Sequence, residues 1–334
     1  MPQLPEMVEA LLNPAIYPEA TQQVQLMQTQ MSFVFIAGDY VYKTKKPVNL
    51  GYLDYRTLEQ RHYFCRREVE LNRRLCPDVY LDVVTVNDDN GVFSLNGKGE
   101  IKDYAVKMRH LPPAAMMDNL LPQNRVTPEM VTGVARKLAE FHAKAETSAE
   151  ISRFGGLDTV RQNTEENFTQ TENKIGNTIT QEAFRRIKDY TDNFVNGNTA
   201  LFQKRVDNGR IRDCHGDLHA AHICFTDDIY IYDCIEFNDR FRYCDVASEI
   251  AFLSMDLDRY GRNDLSLVFT DAYIGLSQDR DIRELLGFYK CYRAYVRGKV
   301  EGFKLDDPHI AEDEKARVLT IARRYFELAE SYIP

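Results

Sequence analysis

Apolar and polar positions first alternate and then recur at helical spacing along the chain. Met7, Leu11 and Leu12 mark a helix over 5–20, closed by Pro14 and Pro18. Three short runs with strand character follow: Val24 to Gln28, Phe33 to Ile36 and Tyr40 to Thr44. Ala37-Gly38-Asp39 joins the second run to the third, and a Gly-Asp pair there predicts a tight hairpin. From Thr57, a predicted N-cap, a helix runs to about Leu75. Phe64, Glu68, Leu71 and Leu75 recur on one face of it, so Glu68 sits among apolar neighbours and needs a cationic partner. Strand alternation puts Lys43 and Lys45 on one face of their strand and Lys46 on the other, and Lys43 is the expected partner. Val83 to Val86 and Val92 to Leu95 flank a turn at Asp88 to Gly91, and Tyr104 to Met108 is a further strand. Pro112-Pro113 then breaks the pattern.

The rest of the chain reads as mainly helical. Thr127-Pro128 opens a helix carrying Met130, Val134, Leu138 and Phe141, ended by His142 as a structural residue. The polar stretch 145–180, with Gly155-Gly156, is expected to be partly mobile and to shape a binding site. Gln181 to about Gln203 reads as one helix. Asp245 starts another that reaches Asp258, with an acid placed favourably in its first turn. Leu285 to Val300 carries Tyr289, Arg293 and Arg297 every four residues, a stripe expected to form internal ion pairs, for instance with Asp256 and Asp258, or else to meet an anionic acceptor. Ala311 to Tyr332 is the last helix. No internal repeat or low-complexity segment is evident.

Composition narrows the classes. At 334 residues the chain is long enough for two lobes. A formal net charge of −9 argues against a general nucleic-acid or anionic-membrane binder. No apolar stretch approaches the length of a membrane span, and the start Met1 to Glu6 lacks the basic and apolar regions of a signal peptide. Seven cysteines without a C-x-x-C pair are expected to be mostly buried thiols of a cytoplasmic protein.

The chemistry concentrates in Asp213-Cys-His-Gly-Asp-Leu-His-Ala-Ala-His222, followed by Ile223 to Phe225, a turn at Thr226 to Asp228, and Ile229 to Asp233. Asp217 lies on a loop before a hairpin, and Asp233 ends the return strand. Two carboxylates so placed suit one base and one divalent-metal ligand. A metallohydrolase using His215, His219 and His222 is an open alternative, because the spacing allows three ligands.

The run His215-Gly-Asp217-Leu-His, the hairpin, Tyr232-Asp233 and Asp245-Val-Ala247 resemble the aminoglycoside phosphotransferase-like branch of the protein-kinase fold, and within it an uncharacterised bacterial subgroup sometimes joined to a P-loop ATPase domain. No Walker motif for such a domain occurs in this sequence. The resemblance implies an α+β, bilobal protein-kinase-like fold, with a small antiparallel-sheet lobe and a larger, mainly helical lobe. It divides the chain into an ATP-binding lobe, 1–111, and a catalytic and substrate lobe, 112–334. It implies transfer of the ATP γ-phosphoryl group to a hydroxyl of a small molecule, with Asp217 aligning the acceptor. Asp233 would hold Mg2+. Lys43, braced by Glu68, would hold the phosphates, with Lys45 and Lys46 as alternatives. Met108 begins the segment that would meet adenine. Asp245 would brace the catalytic loop. Glu249, Asp256 and Asp258 are candidate acceptor contacts or a solvated helix end.

Two departures stand out. The family asparagine that ligates metal falls on His222, so either Glu236 supplies the oxygen or the preference shifts towards Mn2+. The loop expected to cover the phosphates, Thr29 to Ser32, has no glycine and offers Ser32 and Thr29 as hydroxyl contacts. These departures keep a nucleotide-binding pseudokinase open as the alternative. The acceptor and the oligomeric state are left unassigned.

Overall fold

The computed structural model describes residues 4–306 and 310–334. Two compact units divide the chain. The first comprises the chain up to Met116 together with His222–Asp239; the second comprises Met117–Ala221 and Arg240–Pro334. This differs from a single break at 111/112, because the hairpin that follows the Asp217 loop packs with the sheet unit.

In the first unit, β1 (Val24–Gln28), β2 (Ser32–Ala37), β3 (Tyr40–Lys45), β4 (Tyr80–Asp89), β5 (Val92–Leu95) and β6 (Glu100–Arg109) form one sheet of order β1-β2-β3-β6-β4-β5. Every neighbouring pair in it is antiparallel. The β2–β3 hairpin closes with Ala37 opposite Tyr40, and Gly38 takes φ +62° in its turn. One face of the sheet buries Val8, Leu11, Phe35, Tyr42 and Val86. On the other, Cys65 and Val69 of α2 (Leu58–Asn72) pack on Val79, Tyr80 and Val106. Helix α2 starts with a capping box: Thr57 accepts from the Gln60 N–H, and the Gln60 side chain returns to the Thr57 N–H. The helix expected over 5–20 is only α1 (Glu6–Ala10), with a 3-10 turn at Pro14–Ile16; Pro14 cannot donate to the preceding turn.

The second unit is helical. Its core brings Phe168, Phe184, Ile187, Phe252, Met255, Tyr295, Tyr325 and Phe326 together. The labelled helices are α3 (Pro128–Lys144), α4 (Val246–Arg259), α5 (Asn263–Ser277), α6 (Ile282–Phe303) and α7 (Glu312–Ser331). Two differences from expectation have local causes. Gln181–Gly197 and Thr199–Asp207 are separate helices, broken at Asn198 after Gly197. The polar stretch 145–180 holds a helix, Leu157–Thr169, fixed by buried Val160 and Phe168. Helix α5 had no sequence expectation at all. No helix among the described residues is long and apolar enough to cross a membrane.

Candidate active site

The first unit carries a buried charge network on one sheet face. Lys43 and Lys45 alternate with buried Thr44 along β3, so both ammonium groups point the same way. Glu68, on α2, meets both: its Oε1 is 2.9 Å from Lys43 Nζ and its Oε2 is 2.8 Å from Lys45 Nζ. Lys43 also donates to Asp233 Oδ1 at 2.8 Å. Lys45 donates to Glu236 Oε1, which in turn accepts from the Tyr55 hydroxyl at 2.8 Å. Burial alone would discharge these lysines. Asp233 and Glu68 outweigh it at Lys43, and Glu236 and Glu68 at Lys45, so both pKa values are raised. Burial likewise opposes ionisation of Glu68, but Lys43 and Lys45 pull its pKa down.

Asp233 adopts φ +62°, a left-handed conformation that costs a non-glycine residue about 1 kcal/mol. Neighbouring elements hold the turn. The Asp233 N–H donates to the Tyr80 hydroxyl at 3.2 Å, and the Cys234 N–H to Asn72 Oδ1 at 2.9 Å. Asn72 is anchored in turn by its own amide donating to the Glu68 carbonyl. The same helix thus presents Glu68 and fixes the turn that aims Asp233. His222 Nε2 lies 3.6 Å from Asp233 Oδ2.

The other predicted residues of this unit are placed as follows. Lys46 is apart from the network; it donates to the Thr29 carbonyl and lies over the Phe33 ring. Ser32 pairs with Lys45 across β2–β3, so its side chain shares the charged face. Its hydroxyl is fully buried with no hydrogen-bond partner among the described residues. In the turn before it, the Thr29, Met31 and Ser32 N–H groups all donate within the turn. Met108 pairs with Val41 and Tyr80. The next two N–H groups are committed, Arg109 to the Val79 carbonyl and His110 to the Asp39 carbonyl.

In the second unit, Asp217 follows Gly216, which takes φ +89°. The Asp217 N–H donates to His215 Nδ1 at 3.3 Å, and His219 Nε2 lies 3.5 Å from Asp217 Oδ2. Glu249, fully buried on α4, accepts the N–H groups of His215 at 2.6 Å and Gly216 at 2.9 Å on one oxygen. On the other it meets His142 Nε2 at 2.8 Å, and His142 Nδ1 contacts the Tyr273 hydroxyl at 2.7 Å. Burial opposes its ionisation, but the His142 hydrogen bond and charge win and hold its pKa down at about 2. One turn of α4 is thus locked to the loop, and the next elements add to it. Asp256 accepts the Ala220 N–H at 2.9 Å, and Arg293 donates to the Gly216 carbonyl at 3.3 Å. Asp245 caps α4 through the Ala247 N–H and is clamped by Arg205 from two nitrogens.

Several expectations change here. Glu249, Asp256 and Asp258 are neither a solvated helix end nor open contacts. Glu249 and Asp256 are buried in internal bonds, and half-buried Asp258 is bonded to Lys290 and Tyr332. The arginine stripe of α6 does bond internally: Arg293 meets Ser248 and Gly216, and Arg297 meets Glu301. Asp118, which carried no sequence signal, has one buried oxygen without a hydrogen-bond partner among the described residues. Burial and the nearby Asp256 carboxylate raise its pKa. All seven cysteines are free thiols, and all but Cys244 are buried.

No protein-family model matches the sequence. The chain is 34% identical over 309 residues to uncharacterised proteins of Mycobacterium tuberculosis and Mycobacterium bovis, covering 92% of this chain and 60% of each relative. It therefore spans about three-fifths of the length of the curated relatives it matches. An amicoumacin kinase solved with AMP-PNP and Ca2+ superposes with TM-score 0.55 at 12% identity, over 96% of this chain and 92% of that one. This chain has the protein-kinase-like fold. A choline/ethanolamine kinase family protein of Mesorhizobium loti agrees at TM-score 0.52 and 14% identity, over 98% and 99% of the two chains. A Plasmodium vivax ethanolamine kinase agrees at 0.50 and 11%, over 92% and 81%. In this kinase-like fold, Lys43, Glu68, His222, Asp233 and Glu236 belong to the sheet unit and Asp217 to the helical one.

Proposed function

We propose that the chain is a phosphotransferase of the aminoglycoside phosphotransferase-like group, moving the γ-phosphoryl of ATP to a hydroxyl of a small molecule. One observation carries the reading: Lys43, ion-paired to Glu68 on one side, reaches Asp233 on the other, in a chain with this fold. Similar structures, kinases of amicoumacin and ethanolamine among them, support it.

The residues present fit a nucleotide with a divalent ion. Lys43 offers an ammonium, Asp233 and His222 offer an oxygen and a nitrogen 3.6 Å apart, and Ser32 offers a buried hydroxyl without a partner among the described residues. Bound nucleotide and metal would supply the phosphoryl group and neutralise its charge. Lys43 would hold phosphate oxygens, and Asp233 would hold the ion, Mg2+ in the family pattern or Mn2+ given the imidazole of His222. Asp217 would orient the acceptor hydroxyl and receive its proton, on a loop that Glu249 and Asp256 keep rigid.

A second reading, a nucleotide-binding pseudokinase, is favoured by the Thr29 to Ser32 turn, where the Thr29, Met31 and Ser32 N–H groups are committed inward. Transfer of labelled γ-phosphate from ATP to a panel of small alcohols, sugars and amino alcohols separates the two. Transfer that disappears in Asp217→Asn supports the kinase. Tight nucleotide binding with neither transfer nor hydrolysis supports the pseudokinase.

A further inference from the structure

Glu68 serves two lysines at once, and the two arms differ in access. On one arm the Lys43 side chain is 15% exposed and Asp233 is 39% exposed; on the other Lys45 is 1% exposed and Glu236 is 5% exposed. The sealed arm is fully bonded: Lys45 lies between Glu68 and Glu236 and over the Tyr55 ring at 4.8 Å, while the Tyr55 hydroxyl caps Glu236. We propose that Lys45 is a positioning residue, which with Glu236 anchors Glu68 so that Lys43 is presented to the nucleotide phosphates. The inference rests on the nucleotide reading above and deepens it.

The argument is one of charge. Were Lys43 the sole counter-ion of Glu68, any turn of Lys43 towards a phosphate would leave a buried carboxylate uncompensated, which is strongly unfavourable. Lys45 stays on Glu68 Oε2 and removes that penalty. In the described ion pairs, Lys43 and Lys45 face three carboxylates, Glu68, Asp233 and Glu236. That balance suits arrival of a cation on the open arm, at Asp233. Glu236 is then a counter-ion of Lys45 and not a metal ligand.

Calorimetric affinities for ATP with Mg2+ and for adenosine test this on wild type, Lys43→Met, Lys45→Met and the double variant. If Lys45 acts through Lys43, Lys45→Met weakens ATP binding by about tenfold or more, equivalent to about 1.4 kcal/mol. Adenosine binding stays unchanged, and the double variant is no weaker than Lys43→Met alone. An unchanged ATP affinity in Lys45→Met overturns the proposal. So does an equal loss for adenosine, which marks a merely structural role, or a further loss in the Lys43→Met background, which puts Lys45 itself on the phosphates. If Lys45→Met does not fold, Glu236→Gln against Asp233→Asn decides. Glu236→Gln should keep the Mg2+ enhancement of ATP binding that Asp233→Asn loses; loss in both makes Glu236 a metal ligand and overturns the assignment. Wild type that binds neither ATP nor adenosine is a different result: it withdraws the nucleotide reading itself and this inference with it.

Discussion

Glu249 Oε1 lies 2.6 Å from the backbone nitrogen of His215 and also accepts from Gly216, so one buried side chain of α4 sets the path of the loop that carries Asp217. Hydrogen bonds to a charged group are worth about 1.5–3 kcal/mol each. Glu249→Ala should therefore cost roughly 3 kcal/mol or more and disorder the loop, measured by urea unfolding. The pH dependence has a definite sign. A carboxylate with a depressed folded-state pKa stabilises fully above its unfolded value, and that stability fades as pH falls through the folded one. The window for Glu249 runs from 4.5 down to about 2. Glu249→Gln should flatten stability across that window; an unchanged acid limb would contradict the assignment.

Lys299 gives a slope of the same sign at the alkaline end. It donates to Asn167 and Gln170, and burial lowers its pKa from 10.5 to about 8. Between those values the unfolded chain binds more protons, so this group's contribution makes stability rise with pH from about 8 to 10.5. Lys299→Met should remove that rise in denaturation curves taken across the window.

Arg205 joins Asp245 and Asp279, all three fully buried. Removing the guanidinium leaves buried Asp245 without this counter-ion and Asp279 with only Arg210 at 3.5 Å, a loss of roughly 3–5 kcal/mol. Arg205→Met should show it in chemical unfolding and should also loosen the N-terminus of α4, which Asp245 caps. A change below about 1 kcal/mol would be at odds with the buried geometry.

The sequence carried the elements whose cause is local. Thr57 and Gln60 three residues on announce the start of α2, Gly38-Asp39 announces the β2–β3 turn, and the two-residue spacing of Lys43 and Lys45 places both on one face. The pairing of Glu68 with Lys43 was legible because an acid on an apolar helix face requires a cation. Partners far apart in sequence were not. Lys45 meets Glu236 across 191 residues, and Asn72 reaches Cys234 across 162. Glu249 did leave a signal, a single acid in the run Val246 to Met255, but which donors it meets depends on tertiary packing. Helix α5 carries exposed Leu267 and Leu276, which blur its apolar stripe. Asp118 follows two methionines with no pattern around it.

Asp217→Asn separates chemistry from binding. It keeps the side-chain shape but removes the carboxylate that would take the acceptor proton. Phosphotransfer should fall by about 10²–10⁴-fold, the range for loss of a positioned general base. Nucleotide affinity should be unchanged, since Lys43, Glu68 and Asp233 are untouched. Parallel loss of binding would show that Asp217 serves the nucleotide instead.

The central claim is a nucleotide and metal site built on Lys43, Glu68 and Asp233. Its most direct test is the thermal midpoint of wild type and Asp233→Ala with ATP and either Mg2+ or Mn2+. A ligand that binds only the folded state stabilises it by mass action, by about 2.7 kcal/mol at a hundredfold excess over Kd, and so raises the midpoint. The account predicts a metal-dependent rise in wild type that is lost in Asp233→Ala, larger with Mn2+ if His222 is a ligand. No shift in wild type with either metal at millimolar ATP, or an equal shift in the variant, would contradict it.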